Sequence, residues 1–469
     1  MSVVSREYPG FIDEDKILSA LAAGRAADKK RAMEVVAKAR ECKGLDLDEL
    51  SIVLQSDDPE VISAIYEAAL YVKETIYGRR MVFFAPLYVS NVCANNCLYC
   101  GFRKDNKELV RRVLTPEEIR REVEILLTEG HKRVLVVAGE HPTLSGIEYI
   151  ENAVATVYET RVGNASIRRV NVNCAPLSVD DFKRLKATGI GTYQCFQETY
   201  HLETYQKMHP SGPKQDYLWR LHAPSRAMEA GIDDVGVGAL FGLTDYRFEV
   251  MGMLTHARYL DERYGIGPHT ISVPRLEPAL NAPAANAPPN AIHDDDMRRI
   301  VSCLRLAVPY TGIILSTRER AEFRNELIAL GVSQVSAGSR TSPGGYYDAK
   351  AHKPEAEQFS IGDDRTLSEV MCRLCKDNYI PSFCTACYRT GRTGERFMGI
   401  AKHGDIHKMC GPNALLSLKE YLLDYADGET RVEGERVLSE SLQEMPEALR
   451  KTTEKMLARV EAGERDLYV

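Results

Sequence analysis

Met81-Val-Phe-Phe-Ala-Pro-Leu-Tyr88 is the first of a series of short β-rich runs in a chain of 469 residues. Seven more follow, at Arg133–Ala138, Val170–Cys174, Gly191–Phe196, Asp234–Leu240, Thr270–Val273, Gly312–Leu315 and Val332–Val335, parted by amphipathic helical stretches. Strands that alternate with helices form parallel βαβ units. Eight such units in roughly 260 residues match a closed, TIM-type (β/α)8 barrel of the α/β class, which works at the C-terminal ends of its strands. An open doubly wound sheet is the competing architecture.

Outward from these runs the chain reads as helical. On the N-terminal side, Asp13 to Leu21, 30–41, 46–55 and 59–77 space apolar residues at three and four. On the C-terminal side, Pro343-Gly344-Gly345 breaks the alternation, and 365–378, 413–426 and the charged stretch from Pro446 read as helices. Ala279–Pro289, rich in Ala and Pro, is a loop after the sixth strand. The expected organisation is a helical extension over 1–80, a barrel over 81–343 and a mostly helical domain over 344–469.

Composition narrows the function classes. Sixty basic against 67 acidic residues leave a net charge of −7, which argues against an extended surface for nucleic acid. No apolar run approaches the ~20 residues of a membrane span, and the N-terminus lacks a charged region followed by an apolar one. The expectation is a cytoplasmic chain with no membrane partner. Of twelve cysteines, eight fall into two clusters, 93–100 and 372–410. Such clustering in a large cytosolic chain points to metal or redox chemistry. Cys42, Cys174, Cys195 and Cys303 read as small buried residues.

Directly after the first strand comes Cys93-Ala-Asn-Asn-Cys97-Leu-Tyr-Cys100. Three thiolates at this spacing can hold one iron–sulfur cube, which normally takes four. The missing fourth leaves an open coordination position, as catalytic metal sites do. A zinc site completed by a distant residue is the alternative.

C-x3-C-x-aromatic-C after a first barrel strand resembles the signature of the radical S-adenosylmethionine (SAM) enzymes. The resemblance implies a [4Fe–4S] cluster on Cys93, Cys97 and Cys100 whose open iron chelates SAM, with Tyr99 near the adenine. Ala138-Gly139-Glu140 looks like the family's Gly-Gly-Glu motif for the methionyl amine, Ala138 standing for the first glycine. Glu198 would accept from the ribose or amine of SAM, and Arg220 would pair with its carboxylate.

The second cluster, Cys384-Thr-Ala-Cys387 and then Cys410, is another three-thiolate set. Arg389, Arg392, Arg396, Lys402 and Lys408 against Glu395 and Asp405 make its surroundings basic. By spacing alone, Cys372 and Cys375 could join Cys384 and Cys387 in a zinc knuckle. A barrel of this kind followed by C-x2-C-x22-C is similar to the radical SAM tyrosine lyases that mature [FeFe]-hydrogenase. Gln197-Glu-Thr-Tyr-His201, His209-Pro-Ser-Gly-Pro213, Gly267-Pro-His-Thr-Ile-Ser-Val-Pro-Arg275, Ile314-Leu-Ser-Thr-Arg-Glu319 and Ser382-Phe-Cys-Thr-Ala-Cys-Tyr388 carry that likeness through most of the chain.

What the resemblance implies is cleavage of L-tyrosine between Cα and Cβ to p-cresol and dehydroglycine. The latter becomes carbon monoxide and cyanide on an auxiliary [4Fe–4S]-type cluster held by Cys384, Cys387 and Cys410, which carries an extra "dangler" iron with L-cysteine as a non-protein ligand. The product is an Fe(CO)2(CN)–cysteine unit for the hydrogenase H-cluster, and the implied partners are other maturases and a reductant protein. His269, opening the sixth strand, is the protein ligand expected for the extra iron, with His256 as rival. Ser316, Arg318, Ser336 and Arg340, at the ends of strands seven and eight, are candidates to clamp the tyrosine carboxylate. Two other readings stand beside this one: the tyrosine lyase of anaerobic thiamine biosynthesis, and a non-catalytic iron–sulfur scaffold.

Overall fold

The computed structural model describes residues 8–351, 357–402 and 406–469. Four helices open it, α1 (Glu14–Arg25), α2 (Lys29–Ala39), α3 (Leu47–Gln55) and α4 (Pro59–Tyr77). Each starts where an aspartate, Asp13, Asp28, Asp46 or Asp58, accepts from first-turn amides that have no helical partner.

Eight parallel strands follow: β1 (Arg80–Ser90), β2 (Arg133–Ala138), β3 (Arg169–Asn173), β4 (Tyr193–Gln194), β5 (Val235–Gly238), β6 (Thr270–Ser272), β7 (Gly312–Leu315) and β8 (Gln334–Ser336). Each pairs with the next in sequence, and Val82–Phe84 of β1 pairs with Gln334–Ser336 of β8. That last pairing closes the sheet and excludes the open doubly wound alternative. All eight expected runs form strands. The chief difference is β4, which keeps only two residues of the expected Gly191–Phe196.

Helices on the outside of the barrel include α5 (Pro116–Thr128), α6 (Ile147–Glu159), α7 (Val179–Ala187), α8 (Ala223–Glu229), α9 (Tyr246–Tyr264), α10 (Asp294–Ala307) and α11 (Ala321–Ala329). One hydrophobic core runs from the N-terminal helices through the barrel shell into the C-terminal helices, joining Val53, Val72, Leu126, Val172, Leu304 and Leu418. Among the described residues no helix is long and apolar enough to cross a membrane.

The C-terminal region holds α12 (Leu367–Lys376), α13 (Ala386–Arg389), α14 (Gly394–Lys402), α15 (Ile406–Asp424), α16 (Gly428–Glu444) and α17 (Glu447–Glu461). Two features depart from the sequence reading. A ninth strand, β9 (Ile380–Ser382), adds parallel to Arg80–Val82 and hooks this region to the N-terminal end of β1. It has only three residues, one of them Pro381, tolerable on an edge strand. Helix α15 starts at Ile406 rather than 413 and carries Pro412 inside it. Proline usually ends a helix, but Cys410, Asn413 and Ala414 are all buried around it and packing keeps the helix going.

Fully buried Arg324 of α11 ties the end of β8 to the segment beyond it. It donates to the Ser336 carbonyl at 2.5 Å and pairs with Asp363, which Arg365 also bonds. Removing one partner of a buried pair strands the other charge. Arg324→Leu is therefore expected to lower stability by about 3 kcal/mol, measured as a fall in the urea unfolding midpoint; an unchanged midpoint refutes this fastening.

Candidate active site

The loop after β1 is built by its own backbone contacts. Asn91 donates to the Val110 carbonyl and exchanges bonds with Arg112, and the Cys100 amide donates to the Cys97 carbonyl at 3.3 Å. Arg111 donates to the carbonyls of Asn91, Phe102, Arg103 and Asn106 and gathers the loop around its guanidinium. Gly139, just past β2, lets this loop approach. A Cβ there would lie 2.5 Å from the Val92 carbonyl oxygen. Beside it, the Ala94 amide donates to the Glu140 carbonyl at 2.8 Å.

Cys93, Cys97 and Cys100 open onto a cavity at the C-terminal mouth of the barrel, about 1340 Å³ including its open end. Tyr99, Gly139, Glu140, Glu198, Arg220, Ser316, Arg318 and Ser336 line the same cavity. Burial pushes the thiols of Cys93 and Cys100 up to about 11 and that of Cys97 up to about 12. Thiols so raised keep their protons at neutral pH, and a metal bound there would have to displace them.

Two buried cations and two partly buried carboxylates face these thiols. Arg220 bonds Glu140 at 2.8 Å and lies 3.6 Å from Glu198, and Lys214 bonds Glu198 at 2.7 Å. Burial works against the Glu140 charge, but Arg220 and Lys214 hold its carboxyl below the usual range. Asn95 donates to the other Glu140 oxygen at 2.7 Å and links the network to the cysteine loop. Glu198 sits at φ +71°, a left-handed conformation that costs a non-glycine residue roughly 1–3 kcal/mol.

Lys214 and His209 are functional candidates that sequence reasoning missed. His209 Nδ1 donates to the Tyr205 carbonyl at 2.7 Å, so its Nε2 accepts from the Tyr99 hydroxyl at 2.8 Å. Only the quoted His209–Pro213 motif hinted at either residue.

Past the end of β7, the Arg318 guanidinium carbon lies over the Phe359 ring, 3.3 Å from its centroid, and forms no ion pair among the described residues. The buried Ser339 hydroxyl beside it has no hydrogen-bond partner there. Arg340 does not line the cavity, contrary to expectation. Beyond β8 the alternation shifts by one residue at Gly338, whose φ is +58°, so Ser339 and Thr341 line the cavity in place of residue 340. Arg340 faces outward, where its charge acts on Glu129 and Tyr346.

A second cavity, about 500 Å³, lies at the N-terminal mouth. Cys384, Cys387 and Cys410 line it with His269, Arg80, Arg133, Gln334, Tyr388 and Phe397. His269 stands 3.2 Å from the Tyr388 hydroxyl and 3.7 Å from Asp234, and burial keeps its imidazole neutral. Cys410 is held low by the bond from Cys387 and by Arg80 and Arg392. Two of the five basic residues expected to serve these thiols pair elsewhere. Arg389 pairs with Asp466 and Lys402 with Asp261, so the positive charge comes from Arg392 and from the barrel's own Arg80 and Arg133. His256 is elsewhere, bonding Tyr200 at 3.0 Å. Cys372 and Cys375 are buried on α12, outside this cavity.

Among the described residues no three His, Cys, Asp or Glu side chains converge as a single-ion site requires. A cubane takes its thiolates at separated corners, and two trios of cysteines each bordering one cavity suit it better than zinc. One layer of side chains, Phe84, Leu135 and Ile314, parts the two cavities. Val82, Arg133 and Gln334 of the second cavity lie two residues earlier on β1 and β2, or at the start of β8, about 6.6 Å along a strand.

Comparison with known proteins agrees with this arrangement. Residues 87–254 match the radical SAM superfamily, and residues 272–380 match the biotin and thiamin synthesis associated domain. The chain is 32% identical to 2-iminoacetate synthase of Escherichia coli (strain K12) over 386 residues, 82% of this chain and 97% of that one. A crystal structure of HydG, a maturase of the [FeFe]-hydrogenase, superposes with a TM-score of 0.94 at 51% identity, covering 98% of this chain and all of that one. The FeFe-hydrogenase maturase HydG from Carboxydothermus hydrogenoformans gives a TM-score of 0.82 at 42% identity, over 95% and 97% of the two chains. With its thiol-lined barrel mouth and these likenesses over nearly its whole length, the chain belongs to the radical SAM superfamily, in the branch of 2-iminoacetate synthase and HydG.

Proposed function

We propose that the chain is a radical SAM lyase that cleaves L-tyrosine to p-cresol and dehydroglycine at one barrel mouth and builds an Fe(CO)2(CN)–cysteine unit at the other. The observation that carries this reading is the presence of two separate cysteine trios, one on each cavity of the same barrel.

Cys93, Cys97 and Cys100 are suited to hold a [4Fe–4S] cluster, which with SAM on its open iron supplies a 5′-deoxyadenosyl radical upon one-electron reduction. The chain's own residues bind and orient. Glu140 and Glu198 accept from the SAM amine and ribose, Arg220 and Lys214 balance its carboxylate, and Tyr99, pinned by His209, borders the adenine. Gly139 leaves room for the loop that carries the thiols. Arg318, stacked and without a carboxylate partner among the described residues, takes the tyrosine carboxylate. Ser316, Ser336 and Ser339 supply hydroxyls beside it.

The tyrosine amine loses a hydrogen atom, the Cα–Cβ bond breaks, and the side chain leaves as a 4-hydroxybenzyl radical that takes up one proton and one electron, the electron supplied by the reductant protein, to become p-cresol. Dehydroglycine contains the atoms of carbon monoxide, hydrogen cyanide and water with none left over. Cys384, Cys387 and Cys410, with His269 for an extra iron that also takes L-cysteine, suit the second mouth to receive these fragments. The iron unit is cargo for the [FeFe]-hydrogenase H-cluster, with other maturases and a reductant protein as partners. An enzyme that releases dehydroglycine intact, as in the thiamine pathway, would leave the second trio without a task.

Anaerobic incubation with SAM, dithionite and L-tyrosine is expected to yield p-cresol and carbon monoxide; p-cresol without carbon monoxide supports the thiamine-type reading instead. Cys93→Ala, Cys97→Ala or Cys100→Ala should abolish SAM cleavage and p-cresol together. Cys384→Ala or Cys387→Ala should leave p-cresol measurable while carbon monoxide falls sharply, and equal loss of both contradicts separate roles.

His269→Ala should reduce the iron bound beyond two cubanes without removing either; unchanged iron stoichiometry eliminates it as a ligand. Arg318→Gln should raise the KM for tyrosine about tenfold or more, the worth of a hydrogen bond to a charged group, while SAM affinity stays unchanged. Arg340→Gln should leave both constants alone, and the reverse pattern would exchange the two arginines.

A further inference from the structure

Glu249 is a buried acid that lines neither of the two thiol-bearing cavities. It lies in the first turn of α9 with none of its surface exposed, on the outer side of the barrel. Both its oxygens face one turn of chain. Oε1 bonds the Thr199 hydroxyl, and Oε2 accepts from the Tyr200 amide at 2.8 Å.

The same helix holds Tyr200 in two further ways. Gly252 leaves space for its side chain, since a Cβ there would stand 2.7 Å from Tyr200 Cβ and Cγ. His256 Nδ1 meets the Tyr200 hydroxyl at 3.0 Å. Positions 249, 252 and 256 fall on one helical face. That face grips Tyr200 along its length, immediately after the residues that carry Glu198.

This grip bears on Glu198. Its backbone is in the left-handed region, at φ +71°, and such a conformation persists only when surrounding bonds over-determine it. Downstream, Glu249 fixes Thr199 and Tyr200. Across the sheet, the Leu240 amide donates to the Glu198 carbonyl at 2.8 Å. Between these two anchors the Glu198 side chain is turned into the cavity toward Lys214 and Arg220.

We propose that Glu249 is a positioning residue for SAM binding, acting through the Thr199–Tyr200 turn to hold Glu198 in its left-handed, cavity-facing conformation. The proposal rests on the reading of Glu198 as a SAM contact. Burial pushes the Glu249 carboxyl up to about 8, against the opposing pull of Thr199 and Tyr200. At neutral pH it is mostly the neutral acid, which glutamine imitates in shape and hydrogen bonding.

The test measures the Kd of radiolabelled SAM by anaerobic equilibrium dialysis on enzyme with both clusters reconstituted, with iron content and tyrosine KM followed in parallel. Glu249→Leu should weaken SAM about tenfold or more, as the loss of two buried hydrogen bonds implies, with iron content and tyrosine KM unchanged. Glu249→Gln should restore affinity to near wild type. Gly252→Ala, which crowds Tyr200 from the same face, should weaken SAM as well, and it carries the test if Glu249→Leu yields no folded protein. Wild-type affinity in both Glu249→Leu and Gly252→Ala overturns the proposal, as does a Gln variant no better than Leu. Glu198→Ala is the control: if it binds SAM as tightly as wild type, the reading of Glu198 itself fails; if it binds weakly while Glu249→Leu does not, only the role of Glu249 fails.

Discussion

Pairing Val82–Phe84 with Gln334–Ser336 brings the first and last strands of the sheet together. In an open sheet of the same strands, Cys100 after β1 and Arg318 after β7 would be separated by most of the sheet's width. Closure makes them neighbours on one cavity wall. Because every strand of the barrel is parallel, all the post-strand loops gather at one mouth and all the pre-strand residues at the other. Cysteines, Glu140, Glu198 and Arg318 collect at the first. Arg80, Arg133, His269 and Gln334 collect at the second, where β9 brings Cys384 alongside them.

Charge is handled differently at the two mouths. At the first, Glu140 and Glu198 are matched by Lys214 and Arg220 within one buried network. Buried ions are tolerable only when paired and hydrogen-bonded, and this network is already complete in the folded chain. Arg318 stands apart from it, with its guanidinium over an aromatic ring and no ion pair among the described residues. At the second mouth the barrel lends its own arginines to thiols that belong to the C-terminal region. Neither half of that site is electrostatically complete without the other.

Much of this was legible in the sequence, for reasons that differ by feature. The strands were visible because β-branched and aromatic residues cluster between helical spacers. Cys93, Cys97 and Cys100 were visible because thiol chemistry favours short spacing, whereas Cys410, with 22 residues between it and Cys387, was grouped with its partners only through the resemblance. Arg318 and Arg340 could not be told apart, since Arg340 is turned away by a one-residue phase shift at Gly338 that no periodicity announces. β9 escaped notice because three residues containing Pro381 carry no strand periodicity. Lys214, Glu249, Arg80 and Arg133 act through partners distant in the chain, brought close by the closed barrel, and no local pattern marks such a pair. The basic residues between Cys387 and Cys410 misled for the same reason, because Asp261 and Asp466 claim two of them from elsewhere.

The two cavities look like separate modules, each with its own cysteines, yet the strands deny them independence. β1 gives Val82 to one and Phe84 to the other, β2 gives Arg133 and Leu135, and β8 gives Gln334 and Ser336. These are successive inward positions on the same strands. A slip of one residue would turn every such side chain out of the barrel, emptying both cavities at once. Nor can the dividing layer be thickened without loss, since the next inward residue on either side is already a wall of a site. The register that sets one mouth therefore sets the other, and selection on either site acts on the same few strand pairings.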